Sequence, residues 1–119
     1  MKKRIIILLS IIILGIIGIV GGRYIARKSI NNYMQEQGID KKDIVVEDFD
    51  KDWKSGGYEY CVSIKDEDPG IYYMYHYDWG KITFNASRMP EEWIKEKTWG
   101  GAYLTETELE TIKYPPLKE

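Results

Sequence analysis

Cysteine and histidine are almost missing from this sequence: among 119 residues, Cys61 and His76 are the only ones of their kinds. One thiol cannot close an internal disulfide or supply a Cys-rich zinc site, and it is tolerated on either side of a membrane. One imidazole is too few for a His-based metal site, and a catalytic triad would need a nucleophile and an orienting group drawn from elsewhere. No Gly-x-Ser-x-Gly elbow, His-Glu-x-x-His helix, P-loop or Gly-x-Gly-x-x-Gly turn occurs. Cys61 therefore reads as a quiet strand thiol, although Lys65 on its face would favour the thiolate, and His76 reads as a structural residue. No catalytic, cofactor-binding or metal-binding residue is assigned, and the protein is expected not to be an enzyme.

A basic excess is lacking too. From position 24 onward there are 13 basic against 19 acidic residues, a net of −6, because Lys2, Lys3, Arg4 and Arg23 hold the remaining basic charge. An acidic body argues against nucleic acid, whose binding depends on Lys and Arg neutralising phosphates. The acidic runs at 48–52 and 65–70 have neither the glycine nor the closing glutamate of an EF-hand loop, so they read as solvated turns. Glu91 and Glu92 open a helix, where carboxylates favour its dipole. Internal repeats and low-complexity tracts are absent, and the length leaves room for one folded domain.

What is present begins with a leader. After residues 1–4, a basic segment, positions 5–22 form an uncharged run of 18 residues broken only by Ser10 and glycines. As a helix rising about 1.5 Å per residue, such a run reaches roughly the hydrocarbon thickness of a bilayer. Its length and flanks favour an uncleaved transmembrane anchor over a signal peptide, whose apolar region is shorter and ends in a small-residue cleavage site. No cysteine follows to accept a lipid. Basic residues flank the run on both sides, and long acidic segments translocate freely, so the expected topology is N-terminus cytoplasmic with residues 23–119 extracellular. Gly15, Gly18 and Gly22 share one helix face, and the Gly18-x-x-x-Gly22 spacing permits a homodimer through the membrane helix.

The body reads as α+β. Residues 24–37 carry apolar positions at helical spacing, with Gly38 as the C-cap glycine, and the anchor is expected either to continue into this amphipathic helix or to bend near Gly21-Gly22. Residues 44–87 then read at period two as a three- to four-stranded antiparallel meander on which the helix packs. Tyr58, Tyr60, Val62 and Ile64 alternate with Glu59, Cys61, Ser63 and Lys65, and Gly80 is expected at positive φ in a tight turn. Residues 88–119 form an irregular segment with short helices, one opened by Pro90 and another by a capping box of Thr105 and Glu108.

Four tyrosines, Trp79 and His76 crowd the stretch 70–80. Tyr73, Tyr75, Tyr77 and Trp79 alternate onto one face, opposite Tyr72, Met74, His76 and Asp78. Core burial is the default for that stripe, but every buried phenol needs a hydrogen-bond partner, and six tyrosines between Tyr58 and Tyr77 strain the supply. Some are therefore expected to reach water, where Tyr73, Tyr75, Tyr77 and Trp79 would offer a rigid face to a partner.

Through "MKKR" with its isoleucine-rich anchor, and through "YMQEQGI", "GGYEYCVSI", "YYMYHYD" and "TETELETIKYPPLKE", the chain bears a resemblance to the DUF3139 family of small membrane proteins of Gram-positive bacteria. The resemblance implies a membrane-anchored extracytoplasmic module without an assigned activity, and it carries over no functional residue. The expected function is a protein- or peptide-binding module at the cell envelope, working through the Tyr-rich face or an unpaired edge strand, with the bilayer, an envelope protein or peptide and no nucleic acid as partners. Two alternatives are an envelope enzyme using His76 with acidic neighbours and a helper subunit acting through its glycine-faced membrane helix.

Overall fold

The computed structural model describes residues 2–118. A single helix, α1 (Lys2–Gln37), runs 36 residues without a break at Gly21-Gly22, so the apolar run and the body helix share one rod. Its first half is exposed all round, every Ile and Leu from Ile5 to Ile19 standing more than half free. It is long and apolar enough to cross a membrane. The second half buries Ala26, Ile30 and Met34, a stripe four residues apart. A Schellman close ends it: the Gly38 N–H bonds the Gln35 carbonyl and the Ile39 N–H bonds the Met34 carbonyl, both at 3.0 Å, with Gly38 at φ 90°.

A short 3₁₀ turn, capped by the Asp40 side chain on the Lys42 N–H, leads into the sheet. Strands β1 (Ile44–Lys51), β2 (Tyr58–Ile64), β3 (Ile71–Asp78), β4 (Lys81–Arg88) and β5 (Ala102–Tyr103) lie antiparallel in chain order. The fifth strand comes from the tail, which extends the expected meander by two residues paired to Ser87 and Arg88. A bulge between Ile44 and Val46 leaves Val45 outside the ladder and turns Glu47, opposite Val62, toward α1. The β3–β4 hairpin takes positive φ at both Trp79 (49°) and Gly80 (82°), the geometry whose twist matches the strands.

Both faces of the sheet are used. Beneath α1 lie Tyr60, Val62, Ile64, Ile71, Tyr73, Tyr75, Phe84 and Ala86, sealed at the distal end by Leu104 and Ile112 from the tail. On the other face Cys61, Tyr72, Met89 and Ile94 form a second core with Val46, Met74 and Trp99. Helix α2 (Glu91–Lys95) supplies Ile94 there, while α3 (Glu106–Leu109), opened by the expected capping box at Thr105, lies with the first core. The tail is thus cover for both faces. The face that alternation marks as mostly polar in β2 holds a fully packed thiol, and burial pushes the Cys61 pKa far up.

The four buried phenols find their partners inside the fold, while Tyr58 and Tyr77 are only half-buried. Tyr60 donates to Glu47, Tyr73 to Glu67, Tyr75 to Gln37 Oε1 at 2.6 Å and Tyr72 to the Gly100 carbonyl at 2.9 Å. Among the described residues no buried side-chain nitrogen or oxygen lacks a partner. The supply that looked strained in the sequence comes from acceptors on α1, β1, a turn and the tail, so these hydroxyls need no water.

Candidate functional site at the free edge of β4

Helix packing fixes what the sheet can show. Tyr73 and Tyr75 are fully buried beneath α1, their rings against Phe84 at 5.4 and 5.1 Å between centroids, so neither offers surface to a partner. Tyr77 is half-buried against the same core. Trp79 leaves the stripe because it belongs to the hairpin turn, not the strand, and it is 97% exposed. Of the glycine face, Gly15 and Gly18 have open space around them, whereas a Cβ on Gly22 would stand 3.5 Å from the Tyr58 hydroxyl. Gly22 and the buried Ala26 therefore seat the sheet, and a second helix has only Gly15 and Gly18 to pack on.

Arg27 fastens α1 to β1 and β2. Its guanidinium lies 3.4 Å from Glu47 Oε2, donates to the Tyr60 hydroxyl at 3.1 Å and covers the Tyr60 ring at 4.0 Å from its centroid. The Tyr60 hydroxyl, and after it the Arg27 charge, hold the Glu47 carboxyl below its ordinary pKa. The Tyr60 phenol is pushed up in return, first by burial and then by that same bond.

His76 sits on the other face, opposite Glu59 across the β2–β3 ladder. Its Nε2 is 2.8 Å from the Gly56 carbonyl and 3.5 Å from Asp52 Oδ2. A carbonyl can only accept, so Nε2 carries the proton and donates. Asp52 Oδ1 accepts the N–H groups of Lys54 and Ser55 at 3.0 Å, and the Ser55 bond leads in lowering its pKa. Histidine and aspartate together clasp the β1–β2 turn to β3. Burial, then the Asp52 charge, raise the Glu59 carboxyl. Among the described residues no group of three or more His, Cys, Asp and Glu side chains could hold a metal ion.

Open backbone lies along the outer side of β1, whose only partner among the described residues is β2, and at β4, where recesses accompany it. Beyond Ser87 and Arg88, which pair with β5, the outer edge of Lys81–Asn85 has no neighbouring strand among the described residues. Two recesses flank it. On the α1 side a groove of about 590 Å³ runs between Tyr33, Glu36, Lys81–Phe84 and Pro116–Lys118. On the far side a recess of about 270 Å³ is lined by Asp52, Ser55, Glu59, Met74, His76, Thr83, Asn85 and Tyr103, because α2 covers only the distal half of that face. A strand added to this edge would send successive side chains alternately into the two recesses. An unpaired edge follows from alternation alone, but its place at Lys81–Asn85 depends on the two-residue length of β5, which has no periodic signal.

The chain matches over residues 1–75 the family described as "Protein of unknown function (DUF3139)". It is 47% identical over 93 residues to an "Uncharacterized 13.4 kDa protein" of Bacillus thuringiensis, covering 78% of this chain and 82% of that protein. No solved structure matches it.

Proposed function

We propose, from the premise that the chain belongs to the DUF3139 family, that it is a single-pass membrane protein whose extracytoplasmic body binds an extended segment of an envelope protein or peptide at the free edge of β4. In this reading residues 1–4 stay in the cytoplasm, 5–22 span, and residues 23–119 face outward. No catalysis is involved. The observation that supports it is the pairing of an open ladder edge at Lys81–Asn85 with a recess on either side, which gives main-chain hydrogen bonds for affinity and two rows of pockets for selectivity. A photocrosslinking residue at Thr83 in intact cells is expected to capture a partner, while the same residue at the exposed bulge position Val45 captures none. Equal adducts at both positions, or none at Thr83, would refute the edge. Protease added to intact cells should remove a C-terminal tag; full protection reverses the topology.

A catalytic reading draws on one observation, the closeness of Asp52 and Glu59 to His76. His76→Ala separates the two readings. With folding intact, a retained phenotype dismisses catalysis, and a lost phenotype with normal capture at Thr83 favours it.

A further inference from the structure

The place where α1 leaves its apolar run is ringed by aromatic and cationic side chains from distant parts of the chain. Gly22 closes the run, and Gly22 and Ile25 share a recess of about 300 Å³ with Lys51, Tyr58 and Trp79. Trp53, in the β1–β2 turn, is 83% exposed and has the Lys51 ammonium 4.9 Å from its ring; that ammonium is 5.9 Å from the Tyr58 ring, whose hydroxyl would stand 3.5 Å from a Cβ on Gly22. On the other flank a cleft of about 600 Å³ gathers Arg23, Tyr24 and Lys97, together with Glu47, which is paired with Arg27, and Asp48, which accepts the Trp99 indole N–H. Trp53 and Trp79, at 83% and 97% exposed, are the two most exposed of the large apolar side chains, and each carries an apolar ring with a polar N–H. The helix positions lining these recesses run from Val20 to Arg27, about 10 Å of rise, comparable to the thickness of a headgroup layer. Because α1 is unbroken here, the body is held at that height.

We infer that this rim is a lipid-contacting surface: Trp53 and Trp79 sit among the headgroups of the bilayer that holds the anchor, and Arg23, Lys51 and Lys97 face lipid phosphates. The chemistry matches the layer. Indole prefers the boundary between apolar and wet regions, and Lys and Arg extend along apolar surface to reach anionic groups. The bilayer is the occupant because the ring surrounds the last turn of the apolar run, where any other partner would compete with lipid. Seated this way, the body presents the β4 edge at a fixed height and orientation. The inference rests on reading α1 as membrane-spanning.

The test uses the full chain in vesicles of phosphatidylcholine with a minority of anionic phosphatidylglycerol, as variants keeping one tryptophan and carrying phenylalanine at the other three. Trp53 and Trp79 should emit to the blue of an indole in water, and acyl-brominated lipids should quench them severalfold more than Trp99, whose indole N–H is held by Asp48 at 2.7 Å in the second core. If Trp99→Phe unfolds the body, fluorine NMR of the unaltered chain with fluorotryptophan and a paramagnetic headgroup reads the same contrast. Water-like emission from Trp53 and Trp79 with no lipid quenching, in chain that floats with the vesicles, would overturn the rim. Chain that fails to float would overturn the spanning reading first and the rim with it.

Discussion

The two halves of α1 have the same secondary structure and opposite surroundings. From Ile5 to Ile19 every apolar side chain is exposed and none belongs to either core; from Ala26 to Met34 every fourth residue is buried, Tyr33 packs beside that stripe, and the others are partly or fully exposed. A uniformly apolar surface is stable only in an apolar solvent, whereas a single apolar stripe is satisfied by a sheet. The difference teaches that the apolar run and the cover of the core are one element: the helix long and apolar enough to cross a membrane is the helix on which Tyr60, Tyr73 and Tyr75 pack. The two halves are joined rigidly, since Gly21 and Gly22 remain helical and the space beside Gly22 is closed by the Tyr58 hydroxyl, 3.5 Å from where a Cβ would stand.

This contrast can be broken or sharpened by substitution. Tyr73→Ala empties the centre of the body half and should cost about 3–5 kcal/mol, the range for large aromatic truncations in cores, measured by urea unfolding of the chain in detergent. Gly57→Ala comes next. Its φ of 72° disfavours a side chain, and a Cβ would run into the Tyr77 carbonyl, so a loss of about 2 kcal/mol or more is expected by the same assay.

A smaller effect separates the charge at the α1–β1 junction from packing. Glu47 has a lowered folded-state pKa, so its contribution is present above the unfolded value near 4.5 and is lost as pH falls through the lower folded value. Thermal scans should show Glu47→Gln less stable than the parent at neutral pH and less steeply weakened by acid; parallel acid profiles would remove Glu47 from that role. The smallest expected effect is zero. Replacing Ile5–Val20 with an unrelated leucine-rich span should leave the unfolding of the body unchanged, because that half makes no packing contribution to either core. A shifted transition would show that the halves are coupled by sequence and not only by helix continuity.

Much of this was legible in the sequence. The uncharged run, the Gly38 stop, the period-two strand at Tyr58–Ile64 and the Thr105–Glu108 box each rest on neighbours within a few positions, and each appears in the fold. The polar partners of the tyrosines were not legible, since Tyr60 and Tyr75 find acceptors 13 and 38 positions away and the choice among the many carboxylates and amides is made by topology. The second core was equally hidden. Met89, Ile94 and Trp99 are spread over the tail without a period, so only the folded position of a five-residue helix shows that they cover Cys61 and Tyr72. The candidate edge at β4 followed the same rule: strands can be read from alternation, but where a neighbour stops short cannot.

The central claim, one continuous helix serving two solvents, is tested most directly by amide hydrogen exchange on the full chain in lipid nanodiscs. The account predicts unbroken protection from Ile5 to Met34, with Ile5–Val20 shielded by lipid and Ala26–Met34 exchanging only as the sheet unfolds. Fast exchange at Gly21–Arg23, or exchange across Ile5–Val20 at the rate of a water-exposed helix, would contradict it.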